Sequence, residues 1–512
     1  MSLNLAVMLR ESALAHPEKV AVISDDVKLT YDHLDALSNQ VASGLRAEGL
    51  EPGDRVALML PNVPQFVIAY YGVLKAGGIV VPLNVQLKTP EIAYFLGDSG
   101  ARCLVAWDGV AGEAWRGAAA AGGAETYVVQ RRGAAPPPEG CHPFTDLLRG
   151  SPRFDPVGTS PEDTAVILYT SGTTGPARGA ELTHFNLFMC CQVSASRLVE
   201  VRPDDVSLAV LPLFHSFGQS SVMNTTIYAG GTMTLVPRFD PGHVVEVIRR
   251  DQVTIFCGVP AMYHALLHLP ESSRAGLWSL RLCISGGDSL PGAVMREFEE
   301  RFDVPILEGY GLSETSPTAS FNLSREQRRP LSIGRPVWGV EMRVVGPDDR
   351  ELPRGPGGVG EIVIRGHNVM KGYFRRPEVT AQALRGGWFH TGDLGYADED
   401  GFFFLVDRLQ DVVVRGGANV YPREVEEVLH AHAAVAAAAV IGFPDEQLGE
   451  EVRAVVQLKP GRQVSPDDLI AFCGERLASY KRPRSIVFVD QLPLGPTGRV
   501  LKRELKAEAS RP

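Results

Sequence analysis

TAVILYTSGTTGPARG, residues 164–179, decides how the rest of the chain is read. Thr164 to Thr170 carry no charge and have the length and β-branched content of a buried strand. The strand runs into three glycines, Gly172, Gly175 and Gly179, interspersed with four hydroxyl residues, Thr170, Ser171, Thr173 and Thr174, and with Arg178. Glycine lets backbone N–H groups crowd an oxyanion, hydroxyls donate further hydrogen bonds, and a cation offsets charge. Together they suit a polyphosphate. The segment lacks G-x-x-x-x-G-K-[ST], so it is not a Walker loop. Its composition alone also fits a flexible polar loop.

Outward from this strand the chain alternates between strand and helix patterns. Upstream, Leu34, Leu37, Val41 and Leu45 recur at helical spacing, with Thr30 as N-cap and Gly49 as stop. Val56 to Leu60 reads as a strand, Phe66 to Lys75 as a helix ended by Gly77-Gly78, and Ile79 to Val81 as the next strand. Residues 131–160 read as a surface excursion with little regular structure. Downstream, 206–211, 232–236, 254–259 and 280–285 are strand-like. The fold class predicted is α/β, a large N-terminal domain of parallel sheets covered on both faces. Around 331–375, Gly-punctuated segments such as VEMRVV and GEIVIRG predict a β-rich subdomain. After Asp407-Arg408-Leu409-Gln410-Asp411 a compact, mobile α+β unit follows, with Ser465, Pro466 and Asp468 as a helix start. The predicted division is 1–406, a hinge at 407–411, and a C-terminal domain at 412–512.

Composition narrows the partners. A chain of 512 residues exceeds one core, and 45% hydrophobic with 21% charged residues is the balance of a folded protein. The formal net charge of -10 argues against nucleic acid, for which cations would have to be in excess. Seven cysteines with no C-x-x-C pair fit a reducing compartment, not a zinc site or disulfide framework. No signal peptide and no apolar run of ~18 residues is visible, which predicts a cytoplasmic protein and leaves room only for peripheral membrane contact. A homodimer is compatible with the sequence, which does not determine it.

Five further segments stand in a fixed order: PLFHSFG (212–218), SGGDSLP (285–291), EGYGLSET (308–315), WFHTGDLG (388–395) and GPTGRVLKREL (495–505). With residues 168–179 they resemble the motifs of the acyl-adenylate-forming superfamily, which includes acyl-CoA synthetases, luciferases and peptide-synthetase adenylation domains. Fatty-acid:CoA ligases are the nearest likeness, and it spans about residues 8–506. The resemblance implies that residues 170–175 and Arg178 bind the phosphates of ATP, and that Gly287 and Asp288 lie beside the base. It also implies that Tyr310 stacks on adenine, Ser313 contacts the α-phosphate, Glu314 holds Mg²⁺, and Asp393 binds the ribose hydroxyls with Arg408 assisting. His215, Gly309 and Gly311 are implied to line the acyl pocket, with His215 beside the substrate carboxylate. Each has a plainer alternative: a packed core histidine for His215, a helix-capping glutamate for Glu314, a turn for the TGD of 391–393.

DRLQDVVVRGGANVYPREVEEVL (407–429) is similar to the hinge and glycine loop of acyl-CoA and aryl-CoA ligases. That resemblance implies a pivot at Gln410, where the family usually has Lys or Asp, and a coenzyme A channel at Gly416, Gly417 and Ala418. The plainer alternative is a strand-to-turn connection. The departure with most consequence is Arg499, at a position where the family places a lysine that reaches the carboxylate and the α-phosphate. The charge is kept, but a planar fork replaces a compact ammonium, and the two are not interchangeable where geometry matters. Arg178 likewise replaces a common lysine, in a setting where bidentate phosphate contact is well tolerated. The implied substrates and cofactors are ATP, Mg²⁺, coenzyme A and a carboxylic acid, a medium- or long-chain fatty acid by overall likeness. Two alternatives stay open: an amide-forming ligase using the same acyl-AMP with an amine, and a catalytically impaired adenylate-binding protein, which Arg499 motivates.

Overall fold

The computed structural model describes residues 2–131, 133–170, 176–269, 277–445, 447–495 and 500–509. Ser171, Gly172, Thr173, Thr174, Gly175 and Arg499 therefore lie outside the described residues. Among the described residues the strands form four sheets. An eight-stranded sheet runs in the order Gly372–Tyr373, Arg178–Thr183, Thr164–Thr170, Ile79–Pro82, Arg55–Met59, Cys103–Trp107, Glu125–Val129, His142–Pro143. A nine-stranded sheet carries Ile306–Gly311, Leu282–Ser285, Ile255–Gly258, Val206–Ala209, Thr232–Leu235 and Val20–Ser24 as its parallel centre. Antiparallel strands extend both sheets: Thr318–Phe321 beyond Ile306–Gly311, and Arg178–Thr183 beside Thr164–Thr170. The α/β architecture is as predicted, with most strand pairs in these two sheets parallel and antiparallel pairs at three of the four sheet ends.

The local signals act as physical chemistry requires. The Thr30 side chain accepts from His33 N–H and starts the helix Tyr31–Ala47, whose Leu34, Val41 and Leu45 are fully buried. The helix Pro64–Lys75 begins at its proline and is apolar on every side, so it lies wholly within the core. Its single charge, Lys75, is buried and satisfied by Asp35 Oδ1 at 2.6 Å, Ser38 Oγ at 2.8 Å and Asn39 Oδ1 at 2.6 Å, which locks the two helices together. Gly72 is needed at this contact, because a Cβ there would stand 2.6 Å from Val41 Cγ1. The excursion predicted over 131–160 is more structured than its composition suggests. His142–Pro143 adds an edge strand, and 3₁₀ turns at Phe144–Arg149 bury Phe144 and Leu147.

The β-rich part is a four-stranded antiparallel sheet, Val340–Val345, Gly360–Gly366, Phe389–Ala397 and Phe403–Arg408, which extends past residue 375. The C-terminal α+β unit has its own sheet and apolar cluster, in which Val413, Val425, Leu429, Val440, Val452, Leu469 and Cys473 are buried together. No helix among the described residues is long and apolar enough to cross a membrane.

Candidate active site

The motif residues gather where three sheets meet, outside the carboxyl ends of strands Thr164–Thr170, Leu282–Ser285 and Ile306–Gly311, the usual place for a ligand in an open α/β sheet. Ile306–Gly311 carries Tyr310 and Gly311 to the cleft, and a 3₁₀ turn at Ser313–Thr315 follows at once. Gly311 cannot be replaced there, because a Cβ would fall 1.6 Å from Pro317 O. The turn puts Glu314 in a buried position, where its Oε1 accepts from Thr170 Oγ1 at 3.2 Å and from the Tyr373 hydroxyl at 2.9 Å. The end of the strand 164–170 and the residue assigned to Mg²⁺ are thus joined directly.

A second junction binds the nine-stranded sheet to the antiparallel one. The Tyr310 hydroxyl donates to Asp393 Oδ2 at 2.7 Å, and Arg408 Nε lies 3.3 Å from Asp393 Oδ1. Asp393 and Arg408 face each other across adjacent strands, so backbone register sets their pairing. Burial and the Asp393 charge raise the Tyr310 pKa well above its usual value, so Tyr310 stays a hydrogen-bond donor throughout the physiological range. Asp393 is buried, with one oxygen on a phenol and the other on a guanidinium, so its orientation is settled before any ligand arrives.

His215 closes a turn, its N–H donating to Pro212 O at 3.0 Å, and leads into a π-helical segment, Phe217–Asn224. Its Nδ1 accepts from Phe217 N–H at 3.3 Å. A backbone amide can only donate, so in the neutral ring the proton sits on Nε2. Burial lowers the imidazole pKa to about 4, and the neutral ring with an Nε2–H donor is therefore the form present at neutral pH. Such a group can donate to a carboxylate oxygen without bringing a charge. Ser216, which no motif singled out, is buried with Oγ 3.5 Å from Ser313 Oγ, and so ties this turn to the position assigned to the α-phosphate. Gly286 allows the turn to come close, since a Cβ there would lie 3.2 Å from both Gly309 O and the Phe217 ring. Gly287 has φ +81° and, with Asp288, stands exposed on the loop after strand Leu282–Ser285.

Three residues at the site escaped the sequence reading. Tyr373 is 59 residues from Glu314, and Ser216 is 97 from Ser313. Glu308 lies within the EGYGLSET motif, yet its role depends on burial: Oε1 accepts from Leu290 N–H at 3.2 Å, and desolvation raises its pKa to about 7 against the pull of Arg423. Only the KGYF segment at 371–374, a tyrosine amid small and basic residues near a β-rich boundary, offered any local signal for Tyr373.

Whether the residues fit a divalent cation follows from their donors. Among the described residues no group of three or more His, Cys, Asp or Glu converges, so a metal here would draw ligands from its substrate and water as well. One buried carboxylate beside hydroxyls suits Mg²⁺, which is usually held by one or two carboxylates plus phosphate oxygens and water.

The C-terminal unit seats against this site through charged groups. Asp407 Oδ2 accepts from Arg423 N–H at 2.9 Å, and Arg423 Nη1 donates to Leu405 O at 2.5 Å. Lys506 Nζ lies 3.7 Å from Asp411 Oδ1, and within the unit itself Lys502 Nζ lies 2.8 Å from Glu426 Oε1. Gly416 and Gly417, at φ +56° and +82°, form the two-residue turn of a hairpin between Val413–Arg415 and Ala418–Val420. That turn is exposed.

Known proteins resemble this chain over nearly its whole length. A model of the AMP-binding enzyme family matches residues 9–374, and one of the AMP-binding enzyme C-terminal domain matches residues 424–499. The chain is 37% identical to a long-chain-fatty-acid–CoA ligase of Bacillus subtilis (strain 168), covering 99% of this chain and 94% of that one. It is 38% identical to a feruloyl-CoA synthase of an Amycolatopsis species, covering 96% of each. Among solved structures, ATP-bound MatB from Rhodopseudomonas palustris superposes with a TM-score of 0.91 at 34% identity over 99% of both chains.

Proposed function

The chain belongs to the AMP-binding enzyme family, and from that premise we propose that it uses ATP to activate a carboxylic acid as acyl-AMP and then passes the acyl group to the thiol of coenzyme A. In the first step a carboxylate oxygen bonds to the α-phosphorus of ATP as the bond to pyrophosphate breaks. In the second the thiol sulfur bonds to the acyl carbon, AMP leaves, and the thiol proton passes to solvent. A carboxylate is otherwise a poor acyl donor, because its leaving group would be oxide.

The observation that supports this reading best is the pair of junctions, Thr170 to Glu314 and Tyr310 to Asp393, by which four residues from three separate motifs line one cleft. In the proposed complex Asp393 and Arg408 hold the ribose, Tyr310 stacks on adenine, and residues 170–175 with Arg178 hold the phosphates beside Gly287 and Asp288. Ser313 and Ser216 donate near the α-phosphate. The neutral His215 donates from Nε2 to the acid beside Gly309 and Gly311, orienting the carboxylate while leaving it nucleophilic. Glu314 is the carboxylate for Mg²⁺, which when bound offsets phosphate charge. Arg499 supplies the cation of the adenylation step in place of lysine. For the second step, residues 412–512 rotate on 407–411 at Gln410 and bring the turn at Gly416, Gly417 and Ala418 to the coenzyme A channel, closing on residues 1–406.

The acid proposed is a medium- or long-chain fatty acid, in line with the fatty-acid ligase likeness. An aryl-substituted acid is the second reading, favoured by an equal likeness to a feruloyl-CoA synthase. A panel of aliphatic and aryl acids crossed with coenzyme A, amines and no acceptor, following pyrophosphate and product together, tests the proposal. Coenzyme A-dependent AMP release with one class of acid is expected. Amide formation without coenzyme A would replace the thiol as acceptor, and no pyrophosphate with any acid would overturn the activity.

A further inference from the structure

Tyr373 belongs to none of the motifs that carry the family likeness, yet it touches the most consequential carboxylate in the cleft. It stands on the short strand Gly372–Tyr373, paired antiparallel with Arg178–Thr183, which leaves the phosphate segment. Lys371 N–H donates to Glu181 O at 2.9 Å and Phe374 N–H to Gly179 O at 2.8 Å, so the tyrosine is held from both sides. Met370 N–H donates to Glu314 O at 2.8 Å, and the same segment thereby holds the backbone that bears the carboxylate.

The hydrogen bonds to Glu314 are one-sided. Tyr373 OH at 2.9 Å and Thr170 Oγ1 at 3.2 Å both donate to Oε1, and among the described residues no group is recorded as donating to Oε2. Rotation of the carboxylate would break two hydrogen bonds at a buried position, so its plane is fixed and one oxygen keeps its lone pairs for another partner. The Arg178 guanidinium lies over the Tyr373 ring, 5.9 Å from its centroid, which links the ring to a residue assigned to phosphate.

We propose that Tyr373 is the positioning residue of the Glu314 carboxylate: with Thr170 it occupies Oε1 and turns Oε2 to the divalent cation that accompanies ATP. This rests on the reading of Glu314 as the metal carboxylate. Partners that orient a metal-binding carboxylate typically contribute 10–100-fold in metal affinity or activity, so about tenfold is expected from the loss of one of two donors.

The test is calorimetric titration of the full chain with ATP, in EDTA and in millimolar Mg²⁺, reading the ratio of the two dissociation constants as the gain from metal. Tyr373→Phe keeps the ring under Arg178 and is expected to lower that gain about tenfold, with metal-free ATP affinity unchanged within about twofold. Thr170→Val, which removes the other donor to the same oxygen, is expected to lower it by a smaller factor, and it carries the test if thermal melting shows Tyr373→Phe to be unfolded. Glu314→Gln separates the two claims. If it abolishes the gain while Tyr373→Phe and Thr170→Val keep it, positioning is refuted and the metal carboxylate stands. If all three keep the gain, the reading of Glu314 is itself wrong. Equal weakening of ATP binding with and without metal in Tyr373→Phe would make the phenol a nucleotide contact and overturn the proposal.

Discussion

The cleft wall and the seam to the C-terminal unit are both built from polar residues, but in different ways. At the wall, Glu314, Asp393 and Tyr310 are buried on strand ends and tight turns, and short hydrogen bonds join them across sheets that share one core. At the seam, Arg423, Lys502 and Lys506 of the small unit meet Leu405, Asp407 and Asp411 across a short connection, or brace that unit itself, as Lys502 does with Glu426. Hydrogen bonds between elements of one shared core hold one geometry, whereas a few polar contacts between two separately cored units can be broken and remade at little cost. The first arrangement suits a site that must be ready before the nucleotide binds. The second suits the proposed rotation of residues 412–512 on 407–411.

Substitutions at the wall and at the seam should therefore fail differently. The largest effect is expected at Glu314: Glu314→Gln should lower acid-dependent ATP–pyrophosphate exchange at least a hundredfold, about 3 kcal/mol, with little change in the melting temperature. Preserved exchange would remove the wall's claim to be preorganised.

Beside the seam, Glu308 links protonation to stability. Glu308 is raised from 4.5 to about 7 by burial, with Arg423 and Arg328 opposing the shift and Glu427 adding to it. A raised carboxyl pKa means a contribution present in full below pH 4.5 and lost as pH climbs through 7. Wild type should thus lose stability over that interval relative to Glu308→Gln, and the variant should be more stable at pH 8 by about 2 to 3 kcal/mol. Denaturant midpoints at pH 5 and pH 8 check this, and equal differences at the two pH values would contradict it.

A smaller effect separates nucleotide recognition from chemistry. Asp393→Asn keeps the shape but weakens the bonds to Tyr310 and Arg408, and should raise the KM for ATP about tenfold with kcat changed less. Equal loss in kcat and kcat/KM would move Asp393 into the chemical step. The smallest effect is expected from pH at His215. Its pKa near 4 leaves it neutral across an assay range of 6 to 9, so the exchange rate should carry no His215 inflection near 6.5. A limb near 6.5 that vanishes in His215→Asn would contradict the neutral-donor role.

What could be read in the sequence was local. Thr30 and Ser465 cap the helices they precede, and the uncharged run at 164–170 is a buried strand, because each depends on neighbours a few residues away. The motif residues were legible one at a time, but not the distances between them, which depend on how separate sheets pack. Tyr373 on Glu314 and Ser216 on Ser313 were invisible for that reason. So were the 3₁₀ turns at Phe144–Arg149, whose Phe144 and Leu147 find a core only once the helix Tyr31–Ala47 is in place. The shift of Glu308 is also unreadable in sequence, since it arises from burial in the folded chain, with Arg423 and Glu427, more than a hundred residues away, adding smaller and opposite effects.

The most direct measurement is calorimetric titration of wild type, Glu314→Gln and Asp393→Asn with ATP in the presence of Mg²⁺. Stoichiometric binding by wild type, weakened in each variant while the fold is retained, is the result the account predicts. No binding by wild type, or binding that neither substitution alters, would contradict it.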